Sequence, residues 1–268
     1  MGKLLAALVV VALVAGCRGG KQSTPTTTLR ELHQFRVVFP EGFTRAQMAE
    51  RVQVVAKIAH RERHVHPKIS AKTYLAASGP RRIPGFGPAK LPLEGFLFPS
   101  TYDFDKKTTS AELVGAQLAA FQANFGNVDL AYAKSKNLTP YDVLKIASIV
   151  EREAVVPSER KLVAAVIYNR LHDRMPLGMD STIRYGLHVP GTQSLLQSEL
   201  DSNNPYNSRK FLGLPPTPIA NPGLASIEAA AHPAHVDYLY FVRKPDHLHH
   251  YFTSNYNDFV NHEHLYGY

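Results

Sequence analysis

The sequence predicts an α+β fold on three observations. Helical and extended stretches follow one another without a regular β-α-β-α rhythm. The clearest helical periodicity runs over residues 139–154, and two β-rich runs, residues 35–40 and 238–242, lie far apart in the chain. No internal repeat is visible. The 268 residues carry 44% hydrophobic and 19% charged side chains, with Tyr and Phe but no Trp. That composition belongs to a packed globular chain and excludes a fibrous or disordered one.

The N-terminus is read first. Lys3 leads into an apolar run, Leu4 to Gly16, of 13 residues, whereas a spanning helix needs about 20. Residues 1–17 therefore read as a signal peptide or membrane anchor. Val14-Ala15-Gly16-Cys17 has the form of a lipoprotein signal, with Cys17 as the acylated residue. Cys17 is the only cysteine, so no internal disulfide is available. Residues 18–33 are rich in Gly, Ser, Thr and Pro and read as a flexible tether. Both readings put the folded part on the extracytoplasmic side of a cell membrane.

Order is expected from Phe35. The run 35–40 reads as a strand, Glu41-Gly42 as a turn, and Thr44 as the N-cap of a helix through Ala49, Val52, Val55 and Ile58. A short helix is expected at 71–77. Residues 78–92 are dense in Gly and Pro and read as a boundary. Beyond it the pattern predicts an extended segment over 93–104 and helices over 110–125, 139–154 and 158–173. A long turn-rich region follows, then a helix over 224–231, a strand over 238–242 and a His-rich end.

The helix over 139–154 carries the candidate catalytic group. At about 100° per residue, Val143, Leu144, Ala147, Val150 and Ala154 share one face. Glu151 falls within about 45° of that face's centre, and Glu153 more than about 100° away. A carboxyl among apolar neighbours is expected to hold its proton more tightly, as a general acid must near neutral pH.

The segment Ala147-Ser148-Ile149-Val150-Glu151-Arg152-Glu153 resembles the Ala-Ser-Ile-Val-Glu-x-Glu signature of the YceG-like murein transglycosylases. Further blocks match in the same order. They are Leu93-Glu94-Gly95-Phe96-Leu97-Phe98-Pro99, Asn169-Arg170-Leu171, Asp180-Ser181-Thr182, Pro205-Tyr206-Asn207, Gly213-Leu214-Pro215-Pro216 and Ile219-Ala220-Asn221-Pro222-Gly223. Val38-Phe39-Pro40-Glu41-Gly42 resembles the start of the LysM-like module of that family. The resemblance implies a LysM-like module over 34–90 and a catalytic domain over 91–268.

It also implies an endolytic lyase that cuts the β-1,4 bond between N-acetylmuramic acid and N-acetylglucosamine, leaving 1,6-anhydro ends, with Glu151 as its catalytic residue and no cofactor. Asn169, Asp180, Thr182, Tyr206 and Asn207 become candidate sugar-binding residues, with loop or capping roles as the alternative for each. Implied partners are peptidoglycan strands, the membrane at the N-terminus and peptidoglycan synthases. The sequence departs from the family pattern in places: Ser181 stands where Pro is usual, Gly178 where Gln is usual, Ser100 where Asp is usual, and His247-Leu248-His249-His250-Tyr251-Phe252 where a Gly-Gly-x-His turn is usual.

Two other readings stay open. Thirteen histidines, several in clusters such as His247-Leu248-His249-His250, suggest a metal hydrolase. No His-Glu-x-x-His spacing appears, however, and no metal is expected. A non-catalytic peptidoglycan-binding scaffold is the second. The net charge of +8 suits anionic lipid or wall polymer, and the scattered basic residues give no nucleic-acid signature.

Overall fold

Local capping decides where most of the N-terminal helices begin. A computed structural model describes residues 35–268, and the expected signal peptide, Cys17 acylation and tether lie outside the described residues. Strand β1 (Phe35–Val38) leads through the Glu41-Gly42 turn into helix α1 (Arg45–Arg63). Thr44 caps α1 as expected: its hydroxyl accepts from Gln47 N at 3.2 Å and the Gln47 amide oxygen accepts from Thr44 N at 2.9 Å. The same reciprocal box starts α2 (Ala71–Ala77) at Ser70, α3 (Ser110–Phe125) at Thr109 and α5 (Pro140–Glu153) at Thr139. Between α2 and α3 lies β2 (Thr101–Phe104), and α4 (Ala131–Ser135) precedes α5.

A 3-10 turn, Pro157–Glu159, opens onto α6 (Arg160–His172), followed by α7 (Asp180–Leu187), α8 (Gln197–Leu200) and α9 (Leu224–Ala231). The hairpin β3 (Tyr240–Arg243) and β4 (His250–Thr253) and helix α10 (Tyr256–Tyr266) complete the chain. Both sheets are two-stranded and antiparallel, β1 with β2 and β3 with β4. The fold is thus mixed helix and strand. Among the described residues no helix is long and apolar enough to cross a membrane.

Several expectations are corrected. Only residues 101–104 of the expected extended segment form a strand. Upstream, Gly95 turns at φ +90°, and Asn221 Oδ1 accepts the N–H groups of Gly95 and Leu97, both at 2.9 Å. The strand expected over 238–242 begins at Tyr240, because the carbonyls of Tyr238 and Leu239 accept from Asn169 and Arg170 of α6. The turn-rich region contains α7 and α8, and the His-rich end contains β4 and α10.

Helix α5 is central and packs chiefly on α9, with α6 and α7 also against it. It buries Ile146, Ser148 and Ile149 besides Val143, Leu144, Ala147 and Val150. The single apolar face read from the sequence is therefore too narrow: neighbours on several sides bury most of the helix. Phe39, Met48 and Tyr74 join Phe96 and Phe121 in one core with α5 and α9. That core is continuous across residue 90, and β1 pairs with β2 across the same position, Val38 opposite Thr101.

Candidate active site

Glu151 stands in the last turn of α5, half-buried. Its Oε2 accepts the backbone N–H of Gly223 at 3.0 Å, and among the described residues no donor reaches Oε1. An amide N–H requires an acceptor, so a proton carried by Glu151 sits on Oε1. Gly223 is the N-cap of α9 and closes the buried run from Pro218 to Pro222. The run is held to α5 by Ser148, whose hydroxyl accepts Ile219 N at 3.0 Å and donates to the Lys145 carbonyl.

Asn221 is the hub of this arrangement and is fully buried. Besides binding Gly95 and Leu97, its Nδ2 donates to the Phe43 carbonyl and to Glu94 Oε1 at 2.8 Å. Its backbone exchanges two hydrogen bonds with the turn after β1: Gly42 N donates to its carbonyl, and its own N–H donates to Phe43 O, both at 2.9 Å. Three distant segments, 41–43, 94–97 and 219–223, are thereby tied behind Glu151. Glu94 is buried, accepts Arg45 N at 2.8 Å and the Tyr185 hydroxyl at 3.1 Å, and burial pushes its carboxyl up to about 7.

A second carboxyl borders the site. Glu41 lies so close to Gly223 that any Cβ there would strike its carboxylate, and Glu151 Cγ is 3.6 Å from where a Cβ on Gly42 would stand. Burial, then the neighbouring Glu151, raise the Glu41 carboxyl, against the opposing pull of Arg160. Arg160 Nη2 is 4.0 Å from Glu41 Oε2, and its Nε donates to Ser226 of α9 at 3.2 Å. Glu41 keeps about half its side chain in solvent, 49%, and marks the open side of the site.

Glu153 is not turned away from the protein as its helical angle suggests. Ser181 on α7 donates to its Oε1 at 2.5 Å, and burial raises its carboxyl. Because α7 packs on α5, the position two residues past Glu151 meets protein rather than solvent.

Most of the polar residues expected to bind sugar are engaged internally. Asn169 Nδ2 donates to the carbonyls of Val236 and Tyr238, both at 2.9 Å. Buried Asn207 donates to Leu200 O and Ser202 O. Thr182 is buried, with its hydroxyl 2.7 Å from Met179 O and 2.9 Å from Ser208 Oγ. Asp180 pairs with Arg209 at 2.8 Å, and the Tyr206 hydroxyl meets Thr217 Oγ1 at 2.8 Å. None of the five is hydrogen-bonded to Glu151 among the described residues.

Gly223 and Glu41 border Glu151 directly, with Asn221 and Glu94 linked to them through the 219–223 run and Arg160 through Glu41. The first four lie in the matched blocks, which was their signal; Arg160 carried none. Among the described residues no three of His, Cys, Asp and Glu converge as a metal ion requires. His250, for example, is buried with its Nδ1 2.7 Å from Glu159 Oε2.

Fold and site together define a mixed helix–strand protein with an inward-leaning helical glutamate clamped by a glycine-capped helix. The chain belongs to the YceG-like family, which it matches over residues 19–264. It is 40% identical over 157 residues to the endolytic murein transglycosylase of Bacillus subtilis (strain 168), across 58% of this chain and 43% of that protein. It is 34% identical over 242 residues to the endolytic murein transglycosylase of Streptococcus pneumoniae (strain R6), across 83% of this chain and 43% of that protein. The chain thus spans less than half the length of these relatives. A solved structure of a yceG-like protein from Listeria monocytogenes superposes with a TM-score of 0.66 at 28% identity, covering 84% of this chain and 74% of the other.

Proposed function

We propose that this chain is a peptidoglycan lytic transglycosylase, a lyase whose catalytic residue is Glu151. The observation that carries the reading is Glu151 itself: it sits in the family's signature, half-buried, with one oxygen fixed by Gly223 and the other met by no donor among the described residues. Relatives that share the family are named endolytic murein transglycosylases.

The chemistry follows from one carboxyl used twice. Glu151 Oε1 gives its proton to the glycosidic oxygen as the C1–O bond breaks. The C6 hydroxyl of the same N-acetylmuramic acid then bonds to C1, and its proton passes to the Glu151 carboxylate. Water is not consumed, and the product ends in 1,6-anhydro-N-acetylmuramic acid. Ordinary glycosidases need a second carboxyl as nucleophile or base; here the nucleophile is intramolecular and its high effective concentration replaces one.

The β1–α1–α2–β2 run supports a LysM-like reading of the N-terminal part, with its boundary at residue 104 rather than 90, because a strand pair cannot be divided between modules. We also propose attachment to the extracytoplasmic face of the membrane through residues 1–17, and a partnership with peptidoglycan synthases. Glu151→Gln keeps size and the Gly223 contact but removes the transferable proton. The expected outcome is loss of anhydro-ended muropeptides by at least a hundredfold, measured by mass spectrometry of digested sacculi, with glycan affinity kept. Undiminished product from this variant would overturn the assignment. A wild-type protein that binds strands but releases no anhydro ends would select the scaffold reading.

A further inference from the structure

Beside the end of α5, and separate from the Glu151–Gly223–Glu41 cluster, lies a cavity of about 520 Å³ whose walls carry five arginines: Arg152, Arg170, Arg184, Arg209 and Arg243. Arg152 directly follows Glu151 in the chain. Among the described residues only Arg209 of the five has a carboxylate partner, Asp180. Arg170 is held by the carbonyls of Leu239, Pro176 and Leu177, and Arg184 by those of Pro190 and Gln193. Carbonyls orient these guanidiniums without neutralising them. Arg152 and Arg243 are exposed and form no ion pair among the described residues; Arg152 Nη1 donates to the Gly42 carbonyl at 3.4 Å.

The acids on the same walls do not balance this charge. Asp180 is spent on Arg209, and Glu153 is bound by the Ser181 hydroxyl with its carboxyl raised by burial, toward the neutral form. Glu263 of α10 is the remaining acidic side chain. Guanidinium groups fixed on a concave surface with donors to spare form charge-assisted, bidentate contacts with oxyanions.

We infer that this cavity is a recognition subsite for carboxylates, those of the peptide stems carried by the glycan strand, seated next to the point of cleavage. The inference rests on the peptidoglycan reading above, since that polymer supplies carboxylates within a few ångströms of the sugar chain. It assigns the arginines to substrate selection rather than to bond cleavage: the protein should prefer strands that still bear stems over stripped ones.

The test uses the full chain and two probes: uncrosslinked glycan strands with intact stems, and the same strands after amidase removal of the stems. Equilibrium affinity for each is measured alongside release of anhydro ends. Wild-type protein is expected to bind stem-bearing strands about tenfold more tightly, which corresponds to 1.4 kcal/mol, with the ratio shrinking as salt is raised. In Arg152→Gln/Arg243→Gln the ratio should fall to near one, and Arg243→Glu alone should lower it. Both positions are exposed, and Arg243→Glu leaves the hydrogen bond from Arg152 to the Gly42 carbonyl untouched. A wild-type ratio of one, or an undiminished ratio in the double variant, overturns the subsite. Loss of turnover on both strands with the affinity ratio intact would sink the lyase reading while supporting the subsite.

Discussion

Glu94 is a side chain whose titration should be visible in the stability of the whole protein. Its carboxyl is raised by burial to about 7 from an ordinary 4.5, despite hydrogen bonds from Arg45, Tyr185 and Asn221 that pull the other way. Between those values the folded protein keeps a proton that the unfolded chain releases. The stabilising contribution is therefore complete below about pH 4.5 and is lost as pH rises through about 7, by roughly 3 kcal/mol in all. Glu94→Gln keeps an acceptor for Arg45, and the Tyr185 hydroxyl can turn to accept from the new amide. Urea unfolding at pH 5 and pH 8 should show this variant losing much less stability across the interval than wild type; equal slopes would refute the linkage. The sequence held Glu94 only as a letter in a matched block, since its burial depends on contacts with Arg45, Tyr185 and Asn221, all 49 or more residues away. Helical phase reports inward direction locally, and Glu151 is half-buried. Glu153 was misread for the same reason: phase knows nothing of α7, whose Ser181 supplies a hydroxyl where the family's usual proline has no donor.

Elements bring the two carboxyls of the site together through the head of α9. Gly223 has an ordinary φ of −74°, so an alanine there meets no backbone strain. It meets the Glu41 carboxylate instead. Gly223→Ala should therefore change the melting temperature little, because the end of a flexible side chain can move aside, but it should displace Glu41 from Glu151. The expected result is a fall in turnover of about tenfold, as small misplacements at a reacting centre commonly produce. A double-mutant cycle isolates the cause: in a Glu41→Ala background, Gly223→Ala should do little further harm. If the two losses multiply instead, the contact is irrelevant. At this scale the helices with capping signals were readable. Thr44 sits where its N-cap falls, and α9 starts and ends where its apolar run does. What escaped was short and held by tertiary contacts. α7 opens without a side-chain cap, α8 is four residues long, and the loop of 93–97 is shaped by an asparagine more than a hundred residues away.

Across the described residues, the first strand and two helices are structural partners of the part that follows residue 90. Val37, Phe39, Met48, Val52 and Tyr74 are almost wholly excluded from water and share a core with Phe96, Phe121, Leu144 and Ile227. Burial of side chains of this size contributes roughly 1.5–3 kcal/mol each, so the five together rival the whole stability of an ordinary domain, about 5–15 kcal/mol. The Gly and Pro density of residues 78–92 suggested a boundary because turns and linkers share a composition. Composition cannot reveal that the strands on either side of those turns pair with each other, Phe35 opposite Phe104. The site depends on the same union, since Glu41 and the Gly42–Phe43 backbone come from before residue 90 and Glu94, Glu151 and Asn221 from after it. A fragment of residues 91–268 should therefore lack a cooperative thermal transition in calorimetry, expose apolar surface to a hydrophobic dye and release no anhydro ends. Adding residues 34–90 as a separate polypeptide should restore some of each, because the missing strand and the Glu41 turn return together. A fragment that melts sharply alone and still cuts strands would mean that β1, α1 and Glu41 are dispensable to the site.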